Sequence, residues 1–144
     1  MPGMLLEIIK NNIMKRIITL LILSLALTVS SIGQTAYARA YSFAIGSRDY
    51  STNELVWNGT PTACNILIKI EGDVVTVFSK QKQVYHVVTK LNETADGVQY
   101  RMLSAEGVAC NMYMGPIEGT PNVFIAIEYN DYAWIYSCTD ETNN

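Results

Sequence analysis

His86 is the one histidine of this 144-residue chain, so any chemistry that needs an imidazole depends on it. No Ser or Cys lies around it at a spacing typical of a hydrolase, and a general base needs a partner within hydrogen-bond distance. The alternation of neighbouring residues places His86 on the outward side of a strand, between Val84 and Val88. The sequence therefore predicts no catalytic residue, and we expect a protein that is not an enzyme.

Cysteines are the other potential nucleophiles, and the chain has three, Cys64, Cys110 and Cys138. Cys64 and Cys110 fall in phase with core side chains, where thiols are usually inert. In an oxidising compartment three cysteines allow one disulfide and leave one thiol. All three are candidate disulfide cysteines, and the sequence leaves their pairing open.

Acidic residues are scattered along the chain instead of paired. Asp73, Asp96 and Asp131 occupy turn positions, where Asp stabilises the turn itself, and Glu128 lies inside a predicted strand. Glycosidase chemistry needs two facing carboxylates, and a metal site needs a convergent set of ligands. No glycine-rich phosphate loop joins a strand to a helix. We therefore predict no metal site and no cofactor.

Nine tyrosines and two tryptophans are the remaining side chains that could form a binding site. Such side chains could line the mouth of a barrel or form a stacking platform for a sugar or an apolar ligand. They are also good strand formers that fill cores, and this second interpretation is the one we favour. The aromatic residues in question are Tyr41, Trp57, Tyr85, Tyr100, Trp134 and Tyr136.

Residues 1–38 contain the three segments of a secretory signal peptide in the required order. Lys15 and Arg16 precede an apolar run over residues 17–29, and Ala36-Tyr37-Ala38 provides a small-x-small cleavage site. The run is shorter than the roughly 20 residues that span a bilayer as a helix, which favours cleavage over anchoring. Met14 is an alternative start.

Cleavage after Ala38 leaves residues 39–144 as a single domain, and Ala38-Arg39-Ala40 offers a second site two residues later. No cysteine near either site could carry a lipid anchor. We expect a secreted or periplasmic protein with no membrane span after cleavage. Removing the signal takes away three basic residues and one acidic residue, so the net charge moves from −3 to −5. Nucleic acid and anionic membrane surfaces are therefore not expected partners.

Apolar residues alternate with period two from Tyr41 onward, between turn signals 8–12 residues apart, which predicts antiparallel strands. Three turns fix the registers. Asn130-Asp131 with positive φ pairs Tyr129 with Tyr132 and Ile127 with Trp134, and a loop at 105–107 with Gly107 left-handed pairs Met102 with Cys110. A Gly72 turn joins the third pair of strands. We predict an all-β meander of eight or nine strands that forms a small barrel, with a two-layer sandwich as the alternative. The tail from Thr139 is expected to fray. The predicted strands are 41–47, 53–58, 63–70, 74–79, 83–91, 98–104, 108–114, 122–129 and 132–138.

One apolar set falls on the outward side of the predicted strands, and it is a candidate interaction patch made of Leu67, Phe78, Val84 and Val88. Either another layer covers this patch, or it contacts a partner. We predict an exported binding or interaction protein with an unknown protein or small-molecule partner, and a homo-oligomer is compatible with this. A carrier of a small apolar ligand with an open barrel interior is the alternative. An extracellular enzyme, or a protease inhibitor presenting the loop at 115–121, ranks last.

Overall fold

The computed structural model describes residues 35–142, which form one closed barrel of eight antiparallel strands. Each strand pairs with the next one along the chain, and the barrel closes where the first strand pairs with the last. The predicted barrel is confirmed. The strands are β1 Thr35–Asp49, β2 Glu54–Glu71, β3 Val74–Val77, β4 Gln83–Thr94, β5 Gly97–Ser104, β6 Ala109–Pro116, β7 Val123–Glu128 and β8 Tyr132–Asp140.

The predicted strands at 53–58 and 63–70 are one element, β2, and not two. The pairing of β2 with β1 shifts register between Phe43 and Ile45, where β2 takes an excursion through Gly59 at φ 74°. Bulges of this kind leave residues unpaired and bend a strand without ending it. Strand β1 also begins earlier than predicted, at Thr35.

The predicted hairpin pairings are confirmed. Ile127 lies opposite Trp134, Met102 opposite Cys110, and Tyr129 donates its backbone N–H to Tyr132 O at 2.8 Å. Gly72 and Gly107 have positive φ, as their turns require. The positive φ predicted for the turn at 130–131 is wrong, since within residues 35–142 only Asn53 is a non-glycine residue with positive φ.

Alternate residues of the strands point into the barrel and fill it, except along residues 56–63 of β2 and 88–94 of β4, which are exposed throughout. The middle of the barrel is packed with side chains that have no exposed surface, and Ser104 is the one buried polar residue among the described residues. Burial of this apolar surface is the main stabilising term of the fold. The largest fully buried side chains are Tyr85, Ile68, Ile70, Met102, Met112, Met114, Ile125, Ile127, Val75, Val77 and Val123.

The C-terminal tail is held in place through Thr142, so the predicted fraying from Thr139 is wrong over this stretch. Glu141 donates its backbone N–H to Tyr37 O at 2.8 Å, and Tyr37 N donates to Thr142 Oγ1 at 3.2 Å. Arg39 Nε donates to Glu141 Oε1 at 2.8 Å. These contacts extend the seam between β1 and β8 past the end of the strand.

Within residues 35–142, no helix is long and apolar enough to cross a membrane.

Candidate functional site: an aromatic barrel mouth

Four hairpin turns meet at one end of the barrel, because the turns after β1, β3, β5 and β7 of a meander lie on the same side. Tyr129, Tyr132 and Trp134 lie around the last of these turns, and we call them the aromatic triad. Tyr129 follows β7, while Tyr132 and Trp134 are two residues apart on β8 and therefore share one face. The two-residue turn at 130–131 brings all three rings together.

The three rings of the aromatic triad form a continuous stack. Ring centroids of Tyr129 and Tyr132 are 5.1 Å apart with planes at 23°, and those of Tyr132 and Trp134 are 5.5 Å apart at 26°. Tyr129 and Trp134 complete the set at 5.7 Å and 44°. Aromatic pairs in this range attract one another beyond simple area burial, so the rings hold each other in position.

A cavity of about 240 Å³ opens beside the triad. Its wall includes Tyr85 and Ser104 from the barrel interior and Tyr129 and Trp134 from the triad. The segment before and into β4 and the turn after β5 supply the rest of the lining, which consists of Gln81, Lys82, Gln83, Val84, Ala105 and Glu106. A concave space that combines aromatic rings with polar groups can receive a small molecule.

Trp134 contributes an unpaired hydrogen-bond donor to this region. Its Nε1 is buried and has no acceptor among the described residues. A buried indole N–H normally has a partner, and leaving one unpaired costs about 1–3 kcal/mol.

The buried aromatic part of the cavity wall is uncharged at neutral pH, and the two charged residues of the lining, Lys82 and Glu106, are exposed and of opposite sign. Burial, followed by a hydrogen bond with Tyr129, raises the pKa of Tyr85 far above its ordinary value of 10. Burial likewise raises the pKa of Tyr129 and of the neighbouring Cys110 thiol. The Tyr85 hydroxyl donates to Gln83 Oε1 at 3.0 Å, which orients it across the start of β4. A neutral polar ligand matches this buried part of the wall better than an ion does.

Arg48 connects the 130–131 turn to the β1–β2 hairpin through hydrogen bonds. Its Nε donates to Asn130 O at 2.7 Å, and its Nη1 donates to Asn53 O at 2.9 Å. Its backbone N–H donates to Asp131 O at 2.8 Å. The 130–131 turn is therefore held from outside, which explains how the hairpin forms without the positive φ that its sequence suggests.

The β1–β2 hairpin supplies an apolar rim to the mouth. Ile45 pairs with Trp134, and Val56 pairs with Ser47, which itself pairs with Tyr132. Ile45 is 46% exposed, Val56 50% and Tyr132 43%. Apolar side chains on the same face as the triad thus remain open to solvent at this end of the barrel.

The candidate interaction patch lies elsewhere, on the outer wall of β2, β3 and β4. Phe78 and Val88 are 42% and 58% exposed, whereas Leu67 and Val84 are only half-buried. His86 is exposed on the same wall, in register with Val74 and Leu103. Nothing within residues 35–142 forms a second layer there, and a partner at this patch stays a prediction.

The three cysteines are unpaired in the structure. Cys110 and Cys138 are buried, and Cys64 is half-buried with its Sγ 3.6 Å from Ala40 O. Cys138 is the register partner of the same Ala40, so Cys64 and Cys138 lie on the two strands that flank β1. A disulfide is therefore not shown. The part of the chain that the structure describes has no group of three metal-ligating side chains.

Sequence reasoning found part of this site. It identified Trp134 and Tyr85 as aromatic candidates and paired Tyr129 with Tyr132, but it did not single out the three rings as one surface. The predicted register already placed Tyr129, Tyr132 and Trp134 on one apolar and aromatic face, but it did not show that the three rings contact one another or that a cavity lies beside them. No family model matches this chain, and comparison with curated proteins and with solved structures found no match.

Proposed function

We propose that this chain is an exported, non-catalytic binding protein that takes a small neutral ring-shaped molecule at the aromatic mouth. The observation that carries the proposal is the cavity of about 240 Å³ whose wall includes Tyr85, Tyr129 and Trp134. The Nε1 of Trp134 is buried and has no acceptor among the described residues. A bound acceptor such as a hydroxyl, ether or carbonyl oxygen would pair this donor. Sugars and neutral heterocycles combine such an acceptor with a face that stacks on aromatic rings.

The packed barrel supports binding at the mouth over carriage in the interior. Met102, Met112 and Ile125 fill the middle of the barrel and have no exposed surface. In a small barrel the side chains generally occupy the interior themselves. A ligand at the mouth needs no emptying of this core, whereas a deeply enclosed ligand would.

Titration with a defined panel of neutral probes tests the proposal. The probes are methyl glucoside, methyl galactoside, indole and nicotinamide, and the readout is the NMR signal of the Trp134 indole N–H proton. Trp57→Phe leaves Trp134 as the single indole, which makes the assignment direct. We expect at least one probe to move this signal, because hydrogen bonding changes the environment of the donor.

Trp134→Phe is the matched variant, since it retains an aromatic ring and removes the N–H. We expect the affinity of the best probe, measured by isothermal titration calorimetry for each variant, to fall about tenfold, which corresponds to the loss of one hydrogen bond. Trp57→Phe is the control, because Trp57 packs over Gly46 on another part of β1 and β2 and does not line the cavity. Equal affinity in the Trp134→Phe and Trp57→Phe variants would rule out this site.

Export is the second part of the proposal, and it is supported by the basic pair, apolar run and small-x-small segment in the first 38 residues. Fractionation of an exporting bacterial host that produces the full chain tests it. We expect a shortened chain in the periplasm or medium. An intact chain in the cytosol would contradict export and leave the binding proposal standing.

A further inference from the structure

The N-terminal part of β1 is a structural part of the barrel. Ala36 pairs with Ile70, and Ala38 pairs with Ile68 on one side and with Asp140 on the other. Ala36 is 1% exposed, and Ala38 has no exposed surface. Both small side chains belong to the same core cluster as the isoleucines of β2 that lie opposite them.

The same segment holds the end of the chain. Tyr37 accepts the backbone N–H of Glu141 at its carbonyl oxygen and donates its own N–H to Thr142 Oγ1. Thr35 pairs with Glu71, the last residue of β2. Residues 35–38 therefore connect β2 with the C-terminal segment on the far side of the seam.

Cleavage after Ala38 would remove this connection. It would leave the backbone groups of β2 at 68–71 without their β1 partners and expose the side chains of Ile68 and Ile70 to water. Unpaired strand edges and newly exposed apolar surface both destabilise a sheet and invite association. Cleavage after Ala40 would remove a third core alanine as well.

The sequence contains another small-x-small segment immediately before the strand. Ser31 and Gly33 flank Ile32, and the bond after Gly33 lies four residues past Val29, where the apolar run ends. Small residues at these two positions are what the export peptidase requires. A cut at this bond leaves Gln34 as the first residue and keeps every residue of β1.

We propose that processing occurs at the Gly33–Gln34 bond, so that the exported protein begins at Gln34 with β1 complete. Water hydrolyses the peptide bond, which leaves a carboxylate on Gly33 and a free amine on Gln34. This inference rests on the proposed export, but it is independent of the ligand at the aromatic mouth.

N-terminal mass spectrometry of the chain recovered from the periplasm or medium tests the proposal. We expect Gln34 as the first residue of the main product. An N-terminal glutamine can cyclise with loss of ammonia, and this form also counts in favour. A main product beginning at Arg39 or Tyr41 would overturn the inference while leaving export intact, and an unprocessed cytosolic chain would overturn both.

Gly33→Leu provides the matched variant, because leucine at the position before the bond is a poor substrate for the peptidase and the substitution changes no residue of β1 at Thr35–Asp49. We expect the Gln34 form to fall from the main product to a minor one. Ile32→Val, which changes the middle residue only, is the control and should leave processing unchanged. An undiminished Gln34 form in the Gly33→Leu variant would contradict recognition of this site.

Discussion

Arg48 of β1 reaches past β8 to Glu128 of β7, and its Nη2 lies 3.3 Å from Glu128 Oε1. Between the two residues lies Ala133 of β8, the register partner of both Gly46 and Glu128. Both charged side chains are mostly shielded from water, which strengthens the ion pair relative to one at the surface. One arginine thus connects three strands at the end of the barrel that carries the aromatic triad.

Arg48→Met should destabilise the protein by about 2 kcal/mol, because it removes several charge-assisted hydrogen bonds while retaining most of the side-chain length. Urea denaturation measures the change in free energy of unfolding. Lys90→Met is the control, since the Lys90–Glu93 pair is exposed and contributes at most about 0.5 kcal/mol. A similar loss in both variants would contradict a special role for Arg48.

Gly97 and Gly115 lie at a close approach between the start of β5 and the end of β6. A Cβ on Gly97, whose φ is 148°, would lie 2.4 Å from Met114 O and 3.2 Å from Gly115 Cα. Gly97→Ala should therefore cost about 3 kcal/mol, from backbone strain together with steric overlap. Thermal unfolding of the variant measures this loss.

Gly119→Ala is the control for Gly97→Ala. Gly119 also has positive φ, at 80°, but a Cβ there would have no neighbour within 4 Å. We expect a cost of only about 1 kcal/mol, from strain alone. Equal costs at the two positions would show that the approach of β5 to β6 relaxes readily.

Local turn chemistry explains why the strand registers could be predicted. Gly72 and Gly107 each supply a positive φ that sets one hairpin, and a one-residue slip would turn the apolar face outward. The single strand β2 could not be predicted, because the segment around Gly59 looks like a turn and stays in the sheet only through pairing with β1. The contact of Arg48 with the 130–131 turn joins residues about 80 positions apart, and no local pattern indicates it.

The candidate site, like the strand registers, could be predicted only in part from the sequence. Trp134 and Tyr85 are visible as strand aromatics, but the cavity between them depends on closure of the whole barrel. The unpaired state of the Trp134 donor is likewise a property of the packed molecule, since a sequence does not show which acceptors lie within reach. The outward position of His86 follows from alternation alone, and its exposure in the structure agrees with it.

Tyr100 carries a buried hydroxyl without a partner among the described residues. Burial, followed by the charge of Glu93, raises the pKa of this hydroxyl to about 12. Tyr100→Phe removes the unpaired group and keeps the ring, so we expect stability to rise by about 1 kcal/mol. Chemical denaturation of the variant checks the sign.

Tyr85→Phe is the comparison for Tyr100→Phe. It deletes a hydroxyl that donates to Gln83, and it should lower stability by about 1 kcal/mol. A loss of stability in the Tyr100→Phe variant as well would show that the Tyr100 hydroxyl is hydrogen-bonded in solution.

Alkaline pH should destabilise this protein, because buried cysteine and tyrosine side chains keep their protons in the folded state and release them more readily on unfolding. Burial, followed by the charge of Cys64, raises the pKa of the Cys138 thiol from 9.0 to about 12. The folded state therefore holds this proton more tightly than the unfolded state does. Its contribution is fully present below pH 9 and falls as the pH rises toward 12. Buried Tyr136 acts in the same direction, since burial raises its pKa too.

The Cys138 thiol alone should account for a loss of about 2 kcal/mol at about pH 10.5. Urea midpoints measured from pH 7 upward follow the loss. Cys138→Ala removes this titration, so the stability of the variant should depend less steeply on pH above 9, whatever its stability at neutral pH. An unchanged slope in Cys138→Ala would show that other groups control the alkaline transition.

Thiol labelling under reducing-agent-free conditions separates the three cysteines by burial. Cys64 is half-buried, whereas Cys110 and Cys138 are buried, and burial raises the pKa of all three so that little reactive thiolate is present. In the folded protein we expect slow labelling of Cys64 and at least tenfold slower labelling of the other two, because they react only after the barrel opens. Ellman's reagent follows both phases, and Cys64→Ala should abolish the first.

In urea all three thiols should react, since none is paired in the structure. Recovery of a single reactive thiol in urea would instead show that two cysteines form a disulfide after export, and Cys64 and Cys138, which flank Ala40 on neighbouring strands, would be the first pair to examine.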